Sequence, residues 1–158
     1  MSAAAEASVE SFVVLPLGSR RVALPAESVI ELLAPIKVQN VPHGTRWISG
    51  VIVRRNRIVP VCDASQLFGE ERAGTSRFYL IAEWKEANVR DWCAIPVCGE
   101  CELESAEQLA RESAITAETA DYVTGAIAVD GEKIEVVDLS KLIQAQRQNG
   151  SAEPERAQ

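Results

Sequence analysis

The chain has a single histidine, His43, in a Pro42-His43-Gly44 loop, and no serine or cysteine motif points to it. A histidine so placed reads as a solvated turn residue, and without a partner it makes no nucleophile–base pair. There is no Walker-type loop and no G-x-G-x-x-G stretch, so the phosphate cradles of nucleotide enzymes are missing as well. No apolar run reaches the ~20 residues that span a bilayer, which excludes direct membrane insertion by a helix. Met1–Glu10 holds acid and small residues where a signal peptide would have a basic start and an apolar core, so the cytoplasm is the expected location. Basic charge is scarce: 16 Lys and Arg against 23 Asp and Glu leave a net charge of −7, which argues against nucleic acid as the main partner. None of these absences leaves a place for catalysis, and no cofactor is expected.

What is present describes an ordinary globular chain, with 47% apolar and 25% charged residues over 158 positions. The charge is uneven. Leu32 to Cys62 contains no Asp or Glu but carries Lys37, Arg46, Arg54, Arg55 and Arg57. Cys98 to Asp121 reverses the sign, with Glu100, Glu102, Glu104, Glu107, Glu112, Glu118 and Asp121 facing only Arg111. Any single charge of this kind can be solvated surface. Four arginines within Arg46–Arg57 point further, because arginine favours planar carboxylates at interfaces. The ends, Met1–Glu10 and Gln144–Gln158, are too polar to offset their ordering entropy and are expected to be disordered tails. The packed region is expected over Ser11–Ile143.

Most apolar runs are short, β-branched and bounded by Gly, Pro or polar clusters, which is strand punctuation. Phe12–Leu17 reads as a strand that turns at Gly18-Ser19 and returns as Arg21–Leu24. Ala26–Ala34 fits either a short helix or an irregular strand, and Lys37–Val41 a short strand. Val51–Val53 with Ile58–Cys62, Phe78–Glu83 with Trp92–Ile95, and Ile127–Val129 with Ile134–Val137 read as three hairpins. Ser105–Glu112 has the Ala-, Glu- and Leu-rich composition of a helix.

Compared with itself, the chain shows a duplication. At a shift of 75, Trp47-Ile48-Ser49-Gly50-Val51-Ile52 falls on Tyr122-Val123-Thr124-Gly125-Ala126-Ile127. Without a gap, Val61, Asp63, Ser65 and Leu67 then fall on Val136, Asp138, Ser140 and Leu142. At a shift of 71, Ala23-Leu24-Pro25 matches Ala94-Ile95-Pro96 and Glu31-Leu32 matches Glu102-Leu103. Two copies of a unit of roughly 70 residues are implied. The hairpin tips correspond, Arg55-Asn56 to Asp130-Gly131, and two-residue hairpin turns need the positive φ that Gly and Asn tolerate. Asp63 and Asp138 each precede a Leu-containing segment and are expected to cap one- to two-turn helices. A sheet of about five strands per unit would remove its edges by closing into a barrel or pairing with its twin.

Cys98-Gly99-Glu100-Cys101 is the one catalytic-looking motif, and a thiol–disulfide or zinc-binding β protein using Cys98 and Cys101 is the competing reading. Redox pairs of this spacing follow a parallel strand at a helix start. Here the pair follows a strand inside a repeat, and its counterparts at the shift of 71 are Glu27 and Ile30, neither a thiol. Zinc would need Cys62 and Cys93 as further ligands, and both sit in strand-like apolar surroundings that suit buried free cysteine. Trp47 matches Tyr122 and is assigned a structural role, while an exposed Trp84 would be a contact anchor.

With these features together, the sequence resembles the CheW family of chemosensory adaptors from about Ser11 to Ile143. The stretch Ile48-Ser49-Gly50-Val51-Ile52-Val53-Arg54-Arg55-Asn56-Arg57-Ile58-Val59-Pro60-Val61-Cys62-Asp63 is similar to that family's glycine, apolar strand, arginine turn and I-P-V-x-D-L pattern. Phe12–Leu15, Gly18, Ala23-Leu24-Pro25 and Val29-Ile30-Glu31 fit its start. The resemblance implies a mainly β fold with short helices, in which two SH3-like five-stranded β-barrel subdomains interleave in one CheW-like domain. It implies a non-catalytic adaptor between the cytoplasmic tips of methyl-accepting chemoreceptors and a CheA-type histidine kinase, working in the cytoplasm at membrane receptor arrays. Carried across by position, Val29, Glu31, Gly50 and Arg55 would face the receptor, and Phe78, Tyr79 and Leu80 the kinase. The sequence departs from the pattern at Ser49, Arg54, Asn56, Ala64, Cys98 and Glu100, departures that would suit a divergent system such as one for pilus motility.

Overall fold

The computed structural model describes residues 9–17, 20–40, 47–63, 78–110 and 121–151. Over these residues the chain forms β1 (Val9–Pro16), β2 (Arg21–Pro25), a 3-10 turn (Ala26–Ser28), β3 (Val29–Leu33), β4 (Ile48–Arg54) and β5 (Arg57–Cys62). There follow β6 (Phe78–Glu86), β7 (Val89–Val97), β8 (Glu102–Glu107), β9 (Val123–Val129), β10 (Glu132–Val137) and α1 (Leu139–Ser151). The three expected hairpins are present. The turns Arg55-Asn56 (φ 54° and 61°) and Asp130-Gly131 (φ 50° and 82°) both have two left-handed residues, the geometry whose twist matches paired strands.

The strands form two sheets, ordered β8-β1-β2-β10-β9 and β3-β6-β7-β5-β4. The repeat aligns β1–β5 with β6–β10, so both sheets have one order, third-first-second-fifth-fourth. Each takes its first and second strands from one repeat and the other three from its twin. The sequence unit and the structural unit therefore differ, because the repeats exchange strands. Each sheet curls, and the chain leaving one edge strand closes it onto the other. Gln39, beyond β3, exchanges two 2.8 Å backbone bonds with Val51 of β4, and Leu109, beyond β8, bonds Ala126 of β9 in the same way (2.7 and 3.2 Å). Closure removes the open edges that would otherwise invite pairing between chains.

Strand alternation sorts the apolar residues into three cores. Phe12, Val14, Ala23, Ile127, Val129, Ile134 and Val136 fill the first barrel. Leu33, Ile52, Val59, Val61, Ile81 and Ala94 fill the second. The opposite faces of β1, β2, β6 and β7 supply Leu15, Leu24, Leu80, Trp84 and Ile95 to a larger core between the barrels, sealed by Leu139, Leu142 and Ile143 of α1.

Several expectations need correction. Ser105–Glu107 is strand, not helix: β1 offers the segment a full antiparallel ladder, from Val9–Glu107 to Val14–Glu102, and tertiary pairing outweighs propensity. Gln108–Ala110 has only the Leu109 bridge, and Arg111-Glu112 lies outside the described residues. Of the expected strand Lys37–Val41, the described residues 37–40 contribute one bridge, at Gln39, and Val41 lies outside the described residues. Ala26–Ala34 splits into the 3-10 turn and β3. β1 starts at Val9, inside the expected tail, where Val9 and Glu10 pair with β8. α1 runs past Ile143 to Ser151, also inside an expected tail, and its Arg147 pairs with Glu86 of β6. Asp138 caps α1 as expected, accepting the Lys141 N–H at 3.1 Å, but the helix is 13 residues long rather than one to two turns. Asp63 has no described segment after it, and the Gly18-Ser19 turn and His43 also fall outside the described residues.

Candidate functional site

β3 and β4 are opposite edges of the second sheet, and only closure brings them together. Glu31 projects from β3, where a bulge between Val29 and Glu31 interrupts the pairing with β6. Arg54 ends β4 and Arg55 begins the turn. Arg54 Nη2 donates to Glu31 Oε2 at 2.6 Å, and Arg55 Nη2 lies 2.9 Å from Glu31 Oε1. The Glu31 carboxyl is held below the usual carboxylate range, chiefly by the hydrogen bond from Arg54, against burial and with help from the charges of Arg54 and Arg55. Arg54 is raised in turn by its bond to Glu31. Arg57, on β5, lies over the Trp92 ring at 3.8 Å and 3.8 Å from Asp91 Oδ1.

Beside these cations lies an apolar face. Pairing sets Val51 opposite Pro60 and Val53 opposite Ile58, all on the outside of the barrel. Val53 is 56% exposed and Ile58 71%, with Leu32 and Ile36 also exposed. Solvent-facing β-branched residues flanked by arginines form a surface suited to the apolar side of an acidic helix.

The other expected contact residues divide. Val29 is half-buried against the central core. Gly50 is buried under the crossing segment: a Cβ there would stand 2.6 Å from both Gln39 O and Val38 Cγ1. Its part in any surface is to admit that segment. Phe78 and Tyr79 are half-buried at the start of β6. Leu80 is 1% exposed and belongs to the central core, so it is removed from the expected kinase-facing surface. β6 is flanked by β3 and β7, and its inner-face residues are enclosed. Trp84 is likewise no exposed anchor: it is 8% exposed, with the Arg147 guanidinium 5.6 Å from its ring. The sequence reading missed the Val53–Ile58 pair, although alternation along the hairpin would have placed both outward.

The thiols have surroundings of a different kind. Cys101 is half-buried, and burial pushes it up to about 11, so thiolate is scarce at neutral pH. Cys98 Sγ faces the Pro16 carbonyl oxygen at 3.5 Å. Cys62 and Cys93 are buried and hydrogen-bonded to each other, which with burial pushes the Cys62 thiol well up. Among the described residues, no group of three or more His, Cys, Asp or Glu is placed to hold a metal ion. Among them, too, no helix is long and apolar enough to cross a membrane.

Two interleaved SH3-like barrels joined through a shared core, with an arginine-tipped hairpin on the surface, define a small two-barrel β domain. The chain belongs to the CheW-like domain family, whose model matches residues 11–147. Among solved structures it is similar to the scaffolding protein TtCheW from Thermoanaerobacter tengcongensis. The two are 21% identical with a TM-score of 0.69, over 85% of this chain and 92% of that one, a likeness of fold. No curated protein matches the chain.

Proposed function

We propose that the protein is a non-catalytic chemosensory adaptor that couples the cytoplasmic tips of chemoreceptors to a CheA-type histidine kinase. One observation carries the reading: in a chain with a CheW-like domain, Arg55 stands 58% exposed at a hairpin tip, above an outward-facing Val53–Ile58 pair. A receptor helix with an acidic side chain on an apolar face would meet charge and apolar area together. Val29, Glu31 and Arg55 are the receptor side, with Gly50 acting through the backbone. Phe78 and Tyr79 remain the kinase side, where this fold would meet a related β domain. Work of this kind needs rigid surfaces and no reacting group, which agrees with the raised thiol of Cys101.

The test is Arg55→Glu. Retention of a purified receptor-tip fragment should fall at least about tenfold, since a charge reversal replaces attraction with repulsion. The circular dichroism spectrum should stay that of the unmodified protein, and the melting temperature should fall only slightly, because Arg54 still holds Glu31 and the turn residue is exposed. Retention at the unmodified level would overturn the receptor-side assignment.

A further inference from the structure

The two arginines on Glu31 are not equivalent. Arg54 Nη2 makes a well-formed 2.6 Å hydrogen bond to Oε2. Glu31 Oε1 is shut away from solvent and accepts no hydrogen bond, although Arg55 Nη2 stands 2.9 Å from it. The N–H bonds of Arg55 do not aim at that oxygen, so charge alone holds Arg55 there. Arg54 Nε is buried without an acceptor, while its Nη2 holds Glu31. The side chain of Arg54 is 39% exposed and that of Arg55 58%. The charges give the same ranking. Arg54, Arg55 and Arg57 stand against Glu31 and Asp91, so three cations meet two anions and one positive charge is left over. Arg57 also stacks on Trp92, which leaves Arg55 as the least restrained.

We propose that Arg54 is the resident partner of Glu31, and that its presence makes Arg55 an exchangeable cation, taken by an Asp or Glu side chain of the partner without leaving Glu31 unpaired. Glu31 is only 17% exposed, and stripping a half-buried carboxylate of its cation is costly. Passing a surface arginine from one carboxylate to another is not. Because Oε1 accepts no hydrogen bond from Arg55, the departure of Arg55 breaks none. Arg54 is thus a positioning residue: it acts on the partner through Arg55. The inference rests on the receptor-side reading above.

Two measurements test it. In the free protein, the Glu31 carboxyl is titrated by carbon-13 NMR in the unmodified chain, Arg54→Leu and Arg55→Ala. Arg54→Leu should raise the Glu31 pKa clearly more than Arg55→Ala does, and an equal or larger rise in Arg55→Ala overturns the proposal. Arg54→Gln serves the same purpose if the leucine variant is insoluble. In the second measurement, calorimetry follows binding of a receptor-tip helical-hairpin fragment. Arg54→Leu should bind about tenfold more weakly, because Arg55 is now the only cation on Glu31. Unchanged affinity in Arg54→Leu overturns the exchange. Failure of the unmodified protein to bind the fragment overturns the receptor reading instead, while the titration still decides which arginine holds Glu31.

Discussion

Ala87 stands at φ 56° in the two-residue Ala87-Asn88 turn between β6 and β7, a backbone region that costs an L-residue about 1–2 kcal/mol. The same first turn position is left-handed in the other two hairpins, at Arg55 (φ 54°) and Asp130 (φ 50°), so Ala87 is the one of the three with no polar side chain there. Ala87→Gly should therefore raise the stability by about 1 kcal/mol, part of the relief being offset by the greater freedom of glycine in the unfolded chain. A shift of the urea midpoint to higher concentration checks it. Glu31 yields a pH prediction. Its folded pKa is depressed, so its contribution is fully present above the ordinary carboxylate pKa and is lost as pH falls through the lower folded value. Between those two values the unmodified protein should lose stability that Glu31→Gln does not, as followed by urea unfolding across acid pH. The exposure of Arg55 was legible in the sequence, because a polar Arg-Asn pair between two apolar runs is a turn. The grip of Arg54 was not, since its carboxylate lies 23 residues away on another strand.

The elements repeat down to their irregularities. In the β4–β5 hairpin the register shifts at Ser49, whose Oγ reaches the Val61 carbonyl at 3.3 Å, and in β9–β10 it shifts at Thr124, whose Oγ1 reaches the Val136 carbonyl at 3.4 Å. Asp63 N–H bonds Trp47 O at 2.7 Å, and Asp138 N–H bonds Tyr122 O at 2.8 Å. Gly50 and Gly125 sit next to the bulges, where the closing segments pass so near that a Cβ would lie 2.6 Å from Gln39 O or 2.4 Å from Leu109 O. Gly50→Ala and Gly125→Ala should each cost about 1–3 kcal/mol, the usual range for overpacking. Equilibrium unfolding of the two variants checks it, and a neutral effect at either position would refute the closure argument there. The identity of the two glycines was visible in the alignment of the repeats. Its cause was not, because the obstructing backbone belongs to residues that sequence pattern marks only as connection. The segment Ser105–Glu112 shows the converse error, where local composition suggested helix and a distant strand decided otherwise.

For the whole molecule, strand exchange sets how it folds. Within one repeat the strand ladders are the two hairpins, with only the single closing bridge, Gln39–Val51 or Leu109–Ala126, beside them. β1 with β8, β2 with β10, β3 with β6 and β5 with β7 all join different repeats. Neither repeat can close a barrel by these pairings alone, and an unclosed sheet keeps exposed edges. Expressed as separate pieces, 1–73 and 74–158, the halves should each lack a cooperative urea transition, and an equimolar mixture should show a single one, followed by the buried Trp47 and Trp84. Cooperative unfolding of either piece as a monomer would show that a repeat can close on itself. The large core between the barrels points to the same single transition, since α1 leaves the first barrel and packs along β6 of the second.

By itself the amino-acid sequence determined the local matters: which runs are strands, where the tight turns fall, that the chain is a duplication, and that its basic charge gathers around one hairpin. Alternation, turn chemistry and self-comparison act over a few residues or between like segments, so they survive without a fold. Only the tertiary structure decided that the repeats trade strands, that Leu80 and Trp84 are enclosed, and that Glu31 meets Arg54. Those outcomes depend on closing each sheet and packing the two together, which brings far-apart residues into contact and leaves no periodic trace in the chain.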